Sequence, residues 1–390
     1  MVVRGVLARR RVCCCFAVLA SLTLTTAPAT AGPRQGDPIG VHSMLYLDDP
    51  FSAEEAMFKE AAAVGASTIR LDIALSGVFP DPGGPPDWSG VDQYMLLARR
   101  YHLRVLADLL ATPLYLVDCA TEAESAISYR CPPTDPAQWG RDAGLIASHT
   151  RGLIDDFEII NEPDGGWAFY GTPQQYARLL SASYEAIHAA NPHAQVALGG
   201  LMDIASNVWI DAVLATPGAD ALHRFDIANI HVRTRAADAG AVVRRWRRYF
   251  AEKGFTGPLW VTETGYPADP AQQRDPAYQG GALAQTRWVT AVIPAMICAG
   301  AAKVFLTERD SLGGPYASEG FLQSPDPLPA HPTYTRRPSF YAIRALAQAE
   351  SRGASAGRAA CRADRRAKRA TSRAARALSQ LQRPRERSQP

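Results

Sequence analysis

The stretch EIINEPDGG, residues 158–166, breaks off an apolar run without warning. Ile159 and Ile160 give way to Asn161, Glu162 and Pro163. A short apolar run stopped by proline and glycine reads as a buried strand that ends there. Ending it on an amide and a carboxylate places polar groups at the strand's C-terminal end, where an α/β fold carries its chemistry.

Working outward, short apolar runs alternate with longer helical patterns from residue 39 to 350. The candidate strands are 39–46, 67–73, 103–110, 155–161, 195–201, 226–232, 258–263 and 302–307. Ser52 and Glu55 have capping-box spacing, and Gly65 would close that first helix. Asp135-Pro136 and Thr172-Pro173 each set a capping side chain before a proline at the first helical position. A last helix is expected over 339–350. Eight strand–helix units predict an α/β fold of the (β/α)8, or TIM, barrel type. A doubly wound sheet is disfavoured, because no glycine-rich phosphate loop follows the first strand.

The chain has 390 residues, 47% hydrophobic and 20% charged, with a net charge of +3. That small charge hides a division. Residues 1–31 carry four Arg and no acid, and 351–390 carry twelve Lys/Arg against Asp364 and Glu386. The body, 32–350, holds 25 basic and 36 acidic residues, which argues against nucleic acid as a partner. Residues 1–31 read as a secretory signal peptide: Arg4 and Arg9 to Arg11, then an apolar run over 12–24, then Ala29-Thr30-Ala31 as a cleavage site. No other stretch approaches 18 consecutive apolar residues, so a secreted protein is expected, without stable membrane insertion once the signal is removed. The basic Ala/Arg-rich tail, 351–390, lacks a useful apolar face and is expected to be disordered. Its charge suits a solvated appendage or contact with an anionic polymer or lipid surface.

Cys13, Cys14 and Cys15 fall in the signal. Cys119 and Cys131 are close enough along the chain to form a disulfide in an oxidising compartment, or to remain free thiols. Cys298, within the apolar run 291–299, reads as a buried small side chain. No Cys or His spacing suggests zinc, and no cofactor is implied.

A second carboxylate, Glu263, ends the seventh candidate strand in PLWVTETGYP, residues 258–267. The fourth and seventh strands of an eight-stranded barrel lie across its mouth from each other. Two carboxylates facing across a cleft are what glycoside hydrolysis by acid and nucleophile needs.

At this point FEIINEPD (157–164) and WVTETG (260–265) resemble the retaining glycoside hydrolases of the large (β/α)8 clan. The likeness is nearest to family 39 β-xylosidase-like and family 5 cellulase-like enzymes. It extends over residues 39–350. It implies Glu162 as acid/base and Glu263 as nucleophile. It implies Asn161 as the partner of the sugar 2-hydroxyl and Arg70, in TIRLD, as the cation that keeps Glu263 ionised. His231, in NIHVR, would line the sugar site. The substrate would be an oligo- or polysaccharide with β-linked O-glycosidic bonds.

Two positions depart from the clan. Arg233 stands where a Tyr often reaches the nucleophile, and the eighth strand ends VFLTERD, residues 304–310, without a platform Trp. Trp167 and Tyr266 are candidates for the missing aromatic platform. His42 and Tyr46 are further candidates for lining the site, and Glu308 for touching a hydroxyl or pairing with Arg309 or Arg233. The departures leave open a carbohydrate-binding barrel without catalysis. A transglycosylase would use the same residues. Sugar, linkage, exo or endo action and oligomeric state are open.

Overall fold

The computed structural model describes residues 37–47, 49–117, 119, 130–202, 207–311, 314, 316–323, 333–351 and 361. The expected signal peptide, and all of the expected tail but Ser351 and Cys361, lie outside them.

Nine strands form one parallel sheet: β1 Ile39–His42, β2 Thr68–Ala74, β3 Arg104–Leu110, β4 Ile154–Ile159, β5 Gln195–Leu198, β6 Leu201–Met202, β7 Ala228–His231, β8 Leu259–Thr264 and β9 Lys303–Thr307. They hydrogen-bond in the order β5-β4-β3-β2-β1-β9-β8-β7-β6. The two ends of that order meet. Leu198 N donates to Ile227 O (2.9 Å) and Ile227 N to Val196 O (3.2 Å), so β5 also pairs with the chain entering β7. Thus β5 and β6 are two halves of one stave, interrupted at Gly199-Gly200, and the sheet closes as an eight-staved barrel.

The interruption has a steric cause. A Cβ on Gly199 would stand 2.2 Å from Ile160 O, and one on Gly200 would stand 2.0 Å from the His231 ring. Only glycine lets this stave pass so near both neighbours.

The helices α1 Phe51–Val64, α2 Leu75–Val78, α3 Ser89–Tyr101, α4 Pro136–His149, α5 Pro173–Ala190, α6 Val208–Leu214, α7 Ala236–Glu252, α8 Ala282–Ala299 and α9 Pro338–Ser351 follow the strands. A two-stranded antiparallel ladder, β10 Leu322–Gln323 with β11 Thr335–Arg336, precedes α9. Asp135 caps α4 by accepting from Ala137 N and Gln138 N. Thr172 caps α5 in a reciprocal box with Gln175. Gly65 ends α1 in the left-handed region, φ 88°.

The expected Ser52–Glu55 box does not form. The helix begins behind Pro50 without a side-chain cap, and Glu55 instead accepts from Arg100 and from the Tyr101 hydroxyl. Tertiary partners outcompete a local cap here.

The helices bury apolar stripes, such as Val242, Val243, Trp246 and Phe250 on α7. Each such side chain stabilises the fold by roughly 1.5–3 kcal/mol. By length and composition α8 could cross a membrane, although it is not a continuous apolar run. Here it is a barrel helix, with Ala284, Trp288, Val292 and Met296 buried.

Cys119 is bonded to Cys131. Cys298, expected as a buried small side chain, is half-buried and bonded to Cys361. A pairing across 63 positions has no local sequence signal.

Inside the barrel, Leu106, Ala197, Ile227, Trp260 and Phe305 form a separate apolar cluster. Phe305 occupies the space a side chain at position 40 would need, since a Cβ on Gly40 would meet its ring at 2.6 Å. Two residues beyond Leu106, Ile227, Trp260 and Phe305, the inward positions turn polar. Arg70, Asp108, Asn229, Thr262 and Thr307 make up this second level, with Glu158 from β4. A filled floor therefore carries a charged layer, and the cavity opens above it.

Candidate active site

The chain leaves β4 at Ile159 and turns sharply. Ile160 takes φ 63° and Glu162 φ 40°, both in the left-handed region. That conformation costs a β-branched residue of order 1–3 kcal/mol and persists only where its surroundings enforce it. Ile160 N donates to Leu109 O (3.0 Å) and Gly165 N to Glu162 O (2.9 Å). The turn aims Asn161 and Glu162 into a cavity of about 710 Å³ at the C-terminal end of the barrel.

Arg70 is the hub beneath it and is fully buried. Its Nε and Nη2 bind both Glu158 oxygens (2.7 and 3.0 Å). Nη2 also donates to Asp108 Oδ2 and Asn161 Oδ1 (2.9 Å each), and Nη1 to Glu263 Oε1 (3.0 Å). A guanidinium placed in this way fixes the direction of each partner. Because Asn161 spends its oxygen on Arg70, its NH2 is left to donate into the cavity. Asp72, two positions along the same strand, makes no ion pair with Arg70 among the described residues. Asp72 lines the cavity and is pushed up to about 7, chiefly by burial.

Glu263 is buried at the end of β8. Oε1 faces Arg70 and lies 3.5 Å from His42 Nδ1, while Oε2 accepts from Arg233 Nη2 (2.9 Å) and lies 3.6 Å from His231 Nδ1. Burial alone would raise this carboxyl. Its four basic neighbours, His231, His42, Arg233 and Arg70, together outweigh burial and hold it well below the usual carboxylate range. Burial also pulls His42 down to about 3, so at neutral pH the permanent cations beside Glu263 are the two arginines.

Glu162 has a different neighbour. Its Oε1 lies 2.7 Å from His231 Nδ1. On the other side of the ring, Nε2 is 3.1 Å from Thr262 Oγ1, and the Thr262 hydroxyl donates to Asn229 Oδ1 (2.8 Å). A hydroxyl that already donates can only accept from His231 Nε2–H. Nδ1 of a neutral ring is then an acceptor, facing the Glu162 carboxyl. One oxygen each of Glu162 and Glu263, with a His231 nitrogen, lie within 4.8 Å of one another.

The structure thus gathers Asn161, Glu162, Arg70, His231 and Glu263 in one cavity, together with Trp167, His42 and Tyr46. Trp167 is 48% exposed on its wall. Tyr266 is not brought in. It is buried, stacked on Trp288, with its hydroxyl donating to Asp275 O (3.2 Å). Nor does Glu308 line the cavity. It is fully buried, burial holds its carboxyl well above the usual range, and Arg309 donates to Met44 O rather than to it. Arg233, the departure noted in the sequence, is central. It bridges Glu263, Glu319 (3.1 Å) and, at 3.7 Å, Glu162.

Sequence reasoning missed Glu158, Glu319 and Tyr316. Glu158 was detectable, because it shares inward strand parity with the expected site. Glu319 and Tyr316 sit in an irregular segment after β9, which has no periodicity to read.

No family model matches this chain, and no curated protein matches it. Solved structures do. A family 39 glycoside hydrolase from the gut symbiont Bacteroides cellulosilyticus WH2 superposes with TM-score 0.60 and 15% identity, over 80% of this chain and 64% of that one. A family 39 β-xylosidase from Caulobacter crescentus gives 0.58 and 17%, over 82% and 73%. A GH5_18 protein from Streptomyces cattleya, in complex with GlcNAc, gives 0.59 and 17%, over 82% and 81%. This chain has the (β/α)8 barrel fold of these glycoside hydrolases, and it spans under two thirds of the Bacteroides protein's length.

Proposed function

We propose that this protein is a retaining glycoside hydrolase acting on β-linked sugars. The observation that carries the reading is the pair of carboxylates across the barrel mouth, with oxygens within 4.8 Å of each other. Retaining enzymes hold their carboxyl groups roughly 5–5.5 Å apart, whereas inverting ones leave room for a water at roughly 6.5–9.5 Å. The glycoside hydrolase neighbours support the general class.

In this reading Glu263, kept ionised between Arg70 and Arg233, attacks the anomeric carbon. Glu162, facing His231, delivers a proton to the departing oxygen. Glu162 then takes a proton from water as water displaces Glu263 and releases the sugar with its configuration kept. Asn161 donates to a ring hydroxyl, and Trp167 offers an apolar face to the sugar's C–H groups. Export fits the arginine-led N-terminal segment and the two disulfides, Cys119–Cys131 and Cys298–Cys361, which belong to an oxidising compartment.

The test is a panel of aryl β-glycosides with Glu162→Gln and Glu263→Ala alongside, following the first-formed anomer by NMR. Turnover lost in both variants, with the β-anomer appearing first, supports the reading. An α-anomer first would sink the retaining mechanism. Arg233 favours one rival, a sugar-binding barrel without turnover, because it hydrogen-bonds the would-be nucleophile. Unchanged glycan affinity in both variants, with no turnover in the parent, would select that rival.

A further inference from the structure

A second cavity, of about 240 Å³, adjoins the first and shares Arg233, Glu319 and Tyr316 with it. Arg235 and Arg274 add two more guanidiniums to its wall, against the carboxylates of Glu319 and Asp275. Asp275 is committed elsewhere, accepting from Ala236 N (3.0 Å) and Ala277 N (3.1 Å). Glu319 is committed to Arg233. Arg235 pairs with Asp238 (2.8 Å). Arg274 has no carboxylate partner among the described residues and rests on the Tyr316 ring, 5.4 Å from its centroid. Arg233 lies over the same ring at 5.0 Å. A guanidinium laid on an aromatic face is held in place; Arg233 spends its Nε and Nη2 on Glu319 and Glu263, whereas the N–H groups of Arg274 meet no carboxylate among the described residues.

Arg274 thus offers a guanidinium beside the main cavity whose charge no carboxylate among the described residues meets, and a neutral sugar would leave it unmet. A substrate carrying its own carboxylate would meet it. Arg233 hydrogen-bonds Glu263 and lines both cavities, so a carboxylate carried by a ring seated over Glu263 would find Arg274 on the far side of Arg233 and Tyr316. Building on the hydrolase reading, we propose that the substrate is a carboxylated sugar, a β-linked hexuronide, whose carboxylate is received between Arg233 and Arg274 at Tyr316.

The experiment compares aryl β-glucuronide and β-galacturonide with their neutral glucoside and galactoside counterparts and with a 6-phosphoglycoside. Parent and Arg274→Gln are assayed side by side, and free glucuronate and glucose are titrated into both by calorimetry. The expected result is a higher kcat/KM for a uronide than for its neutral counterpart in the parent. That ratio should fall roughly tenfold or more in the variant, as for loss of one hydrogen bond to a charged group. Arg274→Lys should restore part of it. Neutral glycosides turned over with no uronide preference would overturn the proposal while leaving the hydrolase standing. So would a preferred 6-phosphoglycoside. No turnover anywhere, but glucuronate binding that Arg274→Gln weakens, would sink the hydrolase reading and keep the anion site. Neither uronide turnover nor glucuronate binding would overturn the site.

Discussion

The lower and upper halves of the barrel interior are built on the same strands and put to opposite uses. Below, Leu106, Trp260 and Phe305 fill the space with apolar surface. Above, the next inward residues on β3 and β8 are Asp108 and Thr262, and the layer collects around the guanidinium of Arg70. The lower half gains from burial. The upper half holds buried charge and two strained residues, Ile160 and Glu162, which cost stability and serve geometry. Function is thus concentrated where the fold is locally least favourable, and the apolar floor offsets it.

The largest effect separates the halves outright. Glu263→Ala should remove turnover of any active glycoside while far-UV circular dichroism and Tm change little. Phe305→Ala should do the reverse, costing about 3–5 kcal/mol in urea unfolding while the folded fraction keeps its kcat. If Phe305→Ala kills kcat at full folding, the two halves are not independent.

Arg70→Met is the variant that breaks the comparison, since Arg70 lies in the functional layer and also neutralises the buried carboxylates there. It leaves Glu158, Asp108 and Glu263 buried without their shared cation, and about 3–5 kcal/mol should be lost along with activity. Retained stability by urea titration would show that the charged layer is not organised around it.

Titration sharpens the contrast. Glu263 binds its proton less readily folded than unfolded, so the stability it lends is present above the ordinary carboxylate range and is lost as pH falls through its lower native value. Glu54, on the buried face of α1, behaves oppositely. Burial raises it to about 8, so the native state keeps a proton that the unfolded chain releases, and stability falls as pH rises toward 8. Tm should therefore drop between about pH 6 and pH 8.5, and Glu54→Gln should flatten that slope. An unchanged slope in Glu54→Gln would remove this residue from the account. The smallest effect is Thr172→Ala, which should cost about 1 kcal/mol through loss of the α5 cap and leave kcat alone.

The sequence made the staves legible because each is a short apolar run between caps, and it marked Glu162 and Glu263 because a carboxylate ending such a run is conspicuous. Glu158 stood in the same quoted stretch and passed unnoticed, since one inward carboxylate inside a strand looks like any other polar residue until its partner across the barrel is known. Tyr266 was misjudged because an aromatic just past a strand can point either way, and here Trp288 captures it. The Gly199-Gly200 break is fixed by contacts to Ile160 and His231, far apart in sequence and invisible to periodicity.

The most direct test of the central claim, that the upper layer poises Glu263 as a nucleophile, is covalent trapping. The protein would be treated with the activated 2-deoxy-2-fluoro analogue of its best aryl β-glycoside, then digested and read by peptide mass spectrometry. The account predicts one sugar adduct, on Glu263, and none in Glu263→Gln. An adduct on another residue, or turnover without any adduct on Glu263, would contradict it.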